Sequence, residues 1–396
     1  MKQSKFILPI IVISQLCCTS LWFAGNGVIN DLIINFNLEV SALGHLTSAV
    51  QFGFIIGTLI FAMFTIADRF SPSKVFLVSA IFGALFNLGI IWESHNLLSL
   101  LTLRFFTGFF LAGIYPVGMK IAADYYKEGL GKSLGFLVGA LVIGTAFPHL
   151  LKEITSTYSW KSVLITTSAL ATFGGLLMLL LVPDGPYRKP SQRTNLSAFI
   201  SVFKKQEFRS AAFGYFGHMW ELYTFWVFVP LLLKTYSILN PAIALNIPLL
   251  SFIIIGLGGL ACIISGYLSE KIGTKQTATI ALLLSGLCCL ISPLLITTQS
   301  EYLFIGFLLF WGMVVVADSP LLSTLVAKNA PSEIKGTALT IVNCIGFSIS
   351  IISIQLLTFL IDISNTNLMY MLLAIGPIFG LIALLKKHNK TVAVLP

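Results

Sequence analysis

Asp68-Arg69-Phe70-Ser71-Pro72-Ser73-Lys74 joins two long apolar segments, and Gly266-Tyr267-Leu268-Ser269-Glu270-Lys271-Ile272-Gly273-Thr274-Lys275 joins two more about half a chain later. The acids Asp68 and Glu270 stand 202 positions apart in a chain of 396. A charged turn of one pattern, repeated at that interval between apolar runs, signals an internal duplication. Outward from these turns, runs long enough to cross ~30 Å of hydrocarbon recur along the chain. They fall at about 7–29, 42–66, 75–93, 97–121, 132–151, 161–182, 210–233, 244–268, 276–297, 301–327, 337–361 and 368–385. Lipid offers no partners to free backbone groups, so the spans must be helices. The expected fold is an all-α polytopic membrane protein of about twelve transmembrane helices.

Composition agrees. Hydrophobic residues make up 57% of the chain, charged residues 10%, and the mean hydropathy is +0.94. A soluble protein of this size would expose too much apolar surface to stay dispersed. If the N-terminus is cytoplasmic, 20 of the 24 Lys and Arg fall on the cytoplasmic side. Lys152, Lys161 and Lys234 fall outside, and Arg104 lies within a span. That bias places both termini in the cytoplasm of a cell (inner or plasma) membrane protein, and it accounts for the net charge of +9. No soluble basic face for nucleic acid is visible. Lys2, Lys5 and the apolar run after them could be a signal peptide, but the run continues past Trp22 to about Val28 without a hydrophilic domain following. The six cysteines lie in apolar spans with no C-x-x-C pair and no His spaced for zinc, which suits small buried hydrophobes.

The longest polar stretch, 183–209, carries Pro183, Pro186, Pro190 and a run of Arg and Lys. It reads as a basic cytoplasmic linker between residues 1–182 and 210–396, six spans each. A second internal match supports the duplication. Gly108 and Pro116 in the fourth span repeat as Gly312 and Pro320 in the tenth, both at an offset of 204.

On these motifs the chain resembles the major facilitator superfamily over essentially its whole length. That family's loop signature is G-x-x-x-[DE]-[RK]-x-G-x-[RK]-[RK]. The second copy matches at Gly266, Glu270, Lys271, Gly273 and Lys275; the first keeps Asp68, Arg69 and Lys74 but has Phe64 for the leading Gly and one extra residue before Lys74. Arg104-Phe105-Phe106-Thr107-Gly108 is similar to the family's R-x-x-Q-G, with Thr for Gln. The G-x-x-x-G-P signature of drug/proton antiporters is not evident, because Pro148 follows Gly139 and Gly144 too late. The resemblance implies two pseudo-symmetric six-helix bundles around a cavity that opens alternately to either side. The loop charges would then form a cytoplasmic latch, with Asp68 meeting a helix N-terminus and a basic residue of the other half.

Intramembrane acids are the sharpest filter for function. Of fifteen Asp and Glu, only Glu221 and Asp318 sit well inside spans. An ionised acid there costs at least ~3 kcal/mol, so each should face a cavity or a partner. Gly214, His218, Glu221 and Phe225 form one helical stripe, which makes His218 and Glu221 neighbours able to exchange a proton or to lock packing. Asp318 precedes Pro320, where it could line the cavity or satisfy a freed backbone group. Arg104 could attract solute or assist proton transfer, as the family motif implies, or snorkel to the interface. Gln15, Trp22 and Asn26 in the first span, His45, Ser48 and Gln51 in the second, and Asn343 and Gln355 in the eleventh could line a substrate cavity or act as interhelical glue. Gly53, Gly57, Gly256 and Gly259 suit close helix contact. Gly129-Leu130-Gly131-Lys132-Ser133 lacks the first Gly of a P-loop, where Tyr126 stands, and follows a membrane helix.

The expected function is secondary active transport of a small polar or organic-anion solute by alternating access. Proton symport and import are preferred, with Glu221, His218 and Asp318 carrying the proton and Arg104 placing a charge. The alternative is a proton-driven efflux antiporter for amphipathic cations, with the two acids as the cation site and the aromatic residues as its walls. No enzyme constellation is visible, and no long soluble segment suits a sensor. No cofactor is expected beyond the proton gradient, with sodium an open choice of coupling ion. The expected partners are a small-molecule substrate and the bilayer, and a monomer would suffice. Nitrate is disfavoured by the resemblance, because the nitrate porters of that family use paired Arg in the second and eighth spans and neither span here contains Arg.

Overall fold

A computed structural model describes residues 6–126, 130–188, 202–331, 335–364 and 367–386. Residues 189–201 of the polar stretch expected as linker lie outside these, as do Lys2, Lys5, Lys127 and the basic tail after Lys386. Among the described residues all regular structure is helical. Eleven helices are long and apolar enough to span a membrane, and Ile7–Thr19 is a shorter apolar helix that begins the first span.

Several spans are broken, and the breaks have local causes. The first runs as Ile7–Thr19, Ala24–Gly27 and Ile29–Phe36, so the expected continuous helix over 7–29 is interrupted at Ser20–Phe23. Turn bonds carry the chain through the gap: Leu21 N donates to Cys18 O and Trp22 N to Thr19 O. The fourth span divides into Leu97–Leu111 and Tyr115–Tyr125, and the tenth into Glu301–Ala317 and Ser319–Asn329. Pro116 and Pro320 open the second piece of each, where a missing N–H is harmless. The starts of these two spans also correspond. Asn96 Oδ1 accepts from Ser99 N at 2.9 Å, and Ser300 Oγ accepts from Leu303 N at 3.4 Å.

Packing repeats with the same period. The first span packs on the fifth and sixth, as the seventh (Gln206–Leu239) packs on the eleventh (Lys335–Ser364) and twelfth (Asn367–Leu385). The second (Ala42–Met63) packs on the fourth, as the eighth (Ile247–Ile272) packs on the tenth. The third (Pro72–Ile91) packs on the sixth (Lys161–Leu181), as the ninth (Thr274–Ile296) packs on the twelfth. Contacts between the first six spans and the last six pair the fifth (Leu130–Ile154) with the eighth and the second with the eleventh. These two junctions exchange under the same repeat.

Glycine permits the closest of these approaches. A Cβ on Gly108 would strike the carbonyl of Val50 in the second span, and one on Gly312 would strike the carbonyl of Ile254 in the eighth. Backbone cannot yield as a side-chain tip can, and overpacking of this kind costs about 1–3 kcal/mol or more. Gly108→Val and Gly312→Val are each expected to reduce the monodisperse yield in detergent well below wild type. Recovery of either variant at wild-type yield and melting temperature would contradict this packing.

Candidate functional site

Two polar clusters are buried in the membrane-spanning region, one in each half. In the first, Arg104 is 1% exposed. Its Nη1 donates to Leu21 O and Asn87 Oδ1, each at 3.2 Å, and its Nη2 donates to Trp22 O at 2.5 Å. The guanidinium therefore takes carbonyls at the break in the first span, which explains how the chain tolerates an interruption at Ser20–Phe23, where no proline stands. Asn87 is fixed in turn, its Nδ2 donating to Leu164 O, Thr167 Oγ1 and Ser168 Oγ. Snorkelling does not describe Arg104, because its charge points inward to this network. All its acceptors are neutral, and no carboxylate among the described residues pairs with it.

The second cluster lies within the last six spans. Glu221 is 1% exposed, and its Oε1 accepts from Ser285 Oγ at 2.5 Å, Trp311 Nε1 at 2.7 Å and Cys289 Sγ at 3.2 Å. His218 and Asp318 are also 1% exposed, with Nδ1 and Oδ1 2.8 Å apart. The expected His218–Glu221 pairing is thus corrected. The two share a face of the seventh span, but His218 meets an acid on the tenth and Glu221 meets donors on the ninth and tenth. Asp318 also closes the helix break, its carbonyl accepting from Leu321 N and Leu322 N. Asp318 Oδ2 and His218 Nε2 have no hydrogen-bond partner among the described residues.

This buried pair makes a separate prediction. Removing one member leaves the other's buried polar group without its partner, a loss of about 1–3 kcal/mol or more, whereas removing both is far milder. His218→Leu alone should lower the detergent melting temperature sharply, and His218→Leu with Asp318→Leu should recover most of it. Additive losses would show that the two groups do not depend on each other.

The other candidate residues divide by location. Trp22 is fully buried at the break in the first span, with its ring 4.8 Å from Phe54, 5.6 Å from Phe347 and 5.8 Å from Tyr223, centroid to centroid. Gln51 Oε1 accepts from Ser350 Oγ of the eleventh span at 2.9 Å, so it sits at the seam between halves. Asn26 donates to Thr47 Oγ1 at 2.7 Å, as interhelical glue would. Gln15 packs against Gly118 of the fourth span, and both its amide atoms lack partners among the described residues. Phe225 lies against Trp311, with centroids 4.5 Å apart, on the Glu221 side of its helix and not at the seam. His45 lines a lateral groove of about 510 Å³ with Ser48, Phe52, Phe105 and Gln355. Asn343 is partly buried. The sequence did not single out Asn87, Ser285, Cys289 or Trp311. Cys289 is a donor here rather than only a small hydrophobe.

The charged loops differ from the expected latch. Asp68 pairs with Lys120 at 2.8 Å, a residue of its own half and not of the other. Arg188 donates to the carbonyls of Asp68 and Phe70 and pairs with Asp184, which ties the same loop to the chain after the sixth span. Arg69 and Lys74 are exposed, as are Glu270, Lys271, Gly273 and Lys275, while Gly266 is half-buried. Gly273 takes φ +95° at the end of the eighth span, a conformation an L side chain rarely adopts. In the divergent first copy the corresponding reversal falls on Thr65, at φ 51°.

Fold and site together define a polytopic α-helical membrane protein, built from repeated helix packing, with an aromatic seam between its halves and buried charge on either side. The chain belongs to the Major Facilitator Superfamily, whose sequence model matches residues 11–355. It is 25% identical over 287 residues to the sialic acid transporter NanX of Escherichia coli K12, covering 68% of this chain and 66% of that protein. It is 28% identical over 166 residues to the 4-hydroxybenzoate transporter PcaK of Pseudomonas aeruginosa PAO1, covering 39% of this chain and 33% of that protein.

Proposed function

We propose that this protein is a secondary transporter that carries small organic anions across the cell membrane in symport with protons. The observation that carries this reading is Arg104. A buried guanidinium bound only to neutral acceptors retains a full positive charge beside the seam. An uncompensated charge in a membrane protein is expensive, and an anionic solute arriving between the halves would offset it. The relatives named for sialic acid and 4-hydroxybenzoate handle acids, which supports the same class.

The seat of proton coupling on this reading is the other half. Among the described residues no cation pairs with Glu221, and three donors hold its Oε1. His218, on the same face of the seventh span as Glu221, forms a second buried polar pair with Asp318 of the tenth. Anion attraction in one half and proton acceptance in the other would be coupled as the halves rock about the seam. Import follows the inward proton gradient. The charge bias supports cytoplasmic termini.

The test is uptake of radiolabelled 4-hydroxybenzoate and N-acetylneuraminate by proteoliposomes under an inwardly directed pH gradient. Accumulation of either acid, abolished by a protonophore, is the expected result. Accumulation that ignores collapse of the gradient would refute proton coupling. Transport of amphipathic cations alone would refute the anion reading.

A further inference from the structure

The aromatic seam specifies the solute further. Trp22 lies between Thr19 and Ala24, near the middle of the first span, and Phe54 lies at the middle of Ala42–Met63. Tyr223 and Phe347 are similarly central in Gln206–Leu239 and Lys335–Ser364. Two rings from each half therefore meet at one depth, close to the midplane, where carriers of this architecture hold their solutes. Trp22 is the hub. Its ring plane is inclined only 24° to Tyr223 and 27° to Phe347, while Phe54 and Phe347 close the side with centroids 4.7 Å apart. Because stacking partners belong to opposite halves, rocking of the halves parts flat faces and leaves a slot of ring dimensions.

The polar atoms around these rings form a sparse, donor-rich set. The indole nitrogens of Trp22 and Trp226 and the Gln51 Nε2 are on residues no more than 1% exposed, and all three lack partners among the described residues. Tyr223 and Trp226 are in ring contact at 5.3 Å, so the second indole borders the same cluster. Unpaired buried N–H groups are rare and call for explanation. Gln51 Oε1 is already committed to Ser350, which leaves the cluster rich in donors and poor in acceptors. Arg104 donates to the backbone carbonyl of Trp22 itself, so its charge is anchored on the hub residue's own backbone.

We infer that the solute is a planar aromatic monocarboxylate, its ring taken between Trp22 and the Tyr223 and Phe347 faces and its carboxylate bound by the free indole and amide N–H groups. This rests on the organic-anion reading above. Stacking needs a flat π face on the solute, which a saturated ring lacks. A carboxylate accepts and does not donate, which suits three free donors. A polyhydroxylated sugar acid would bring several hydroxyl donors into a region with few acceptors, and hydroxyls left unpaired select against it.

The test is equilibrium binding to the full-length purified protein in nanodiscs, with labelled 4-hydroxybenzoate as the probe. Its competitors are cyclohexanecarboxylate, N-acetylneuraminate and tetraphenylphosphonium. The unmodified protein should favour 4-hydroxybenzoate over cyclohexanecarboxylate by about tenfold, with N-acetylneuraminate weaker than both. Trp22→Phe, which keeps a ring but removes the N–H, should weaken 4-hydroxybenzoate several-fold, and Trp22→Leu should weaken it further. The ligand comparison decides the matter even if a variant fails to fold. Equal binding of cyclohexanecarboxylate would overturn the stacking slot. Tight N-acetylneuraminate binding without 4-hydroxybenzoate binding would overturn the inference and leave the organic-anion reading standing. Binding of tetraphenylphosphonium with no acid bound would overturn both.

Discussion

Arg104→Lys is expected to fold and yet to transport about tenfold more slowly or worse, the loss expected for one charge-assisted hydrogen bond. The guanidinium reaches Leu21 O, Trp22 O and Asn87 Oδ1 at once through a rigid fork. An ammonium keeps the charge but cannot hold three acceptors in that geometry. Released carbonyls at Leu21 and Trp22 would let the break in the first span shift, and with it the Trp22 ring that meets three others. Arg104→Met removes the charge as well and leaves three buried acceptors unsatisfied, each costing about 1–3 kcal/mol. That variant should show a large fall in melting temperature and no measurable solute binding. Initial uptake rates beside detergent melting curves separate the two effects. Wild-type uptake by Arg104→Lys, with an unchanged melting curve, would reduce Arg104 to a replaceable packing group.

The second large effect is expected at Glu221. Glu221→Gln preserves shape and keeps a carbonyl oxygen for Ser285, Trp311 and Cys289, so the three donors retain an acceptor. The protein should fold and bind solute. Without a titrating carboxyl it should lose accumulation against a gradient while still exchanging internal for external solute. Counterflow in proteoliposomes reads exchange directly, and pH-driven uptake reads coupling. Loss of both together would place Glu221 in solute binding or folding rather than in proton transfer.

The parts of this molecule legible in its sequence are those set by one-dimensional patterns. Span length, charge bias and the offset of 204 between Gly108–Pro116 and Gly312–Pro320 all live on that level. The break at Pro320 does too, because proline cannot donate to the hydrogen-bond ladder, but the matching break at Pro116 was not read there, and Pro148, Pro230 and Pro293 sit inside unbroken helices. Glu221 and Asp318 stood out because an acid in an apolar run is costly wherever the helix packs. Partners were a different matter. Helical periodicity placed His218 and Glu221 on one face but could not say that Asp318, a hundred residues later, would reach His218 first.

The break at Ser20–Phe23 was hidden for the same reason. Its backbone is satisfied by an arginine from another span, and nothing local marks it. Asn87 gave a usable signal, being an isolated amide in an apolar run with Arg104 on the adjoining span. Trp311 and Cys289 gave none, since each is ordinary in a lipid-spanning helix. The first charged loop departs from the family signature, and its structure departs with it. Its αL reversal falls on Thr65 and its acid pairs with Lys120 within its own half.

On the proposed mechanism, organic-anion movement and proton movement are one event, divided between Arg104 and Glu221. The most direct measurement is the external pH of lightly buffered proteoliposomes when an organic acid is added, recorded for wild type and for Glu221→Gln over a panel of aromatic and sugar acids. At least one acid should cause alkalinisation outside wild-type vesicles and none outside Glu221→Gln vesicles, although both exchange that acid. Acid transport by wild type without any pH change, matched by an unaltered Glu221→Gln, would contradict the account and leave Glu221 as a packing residue in an uncoupled or differently coupled carrier.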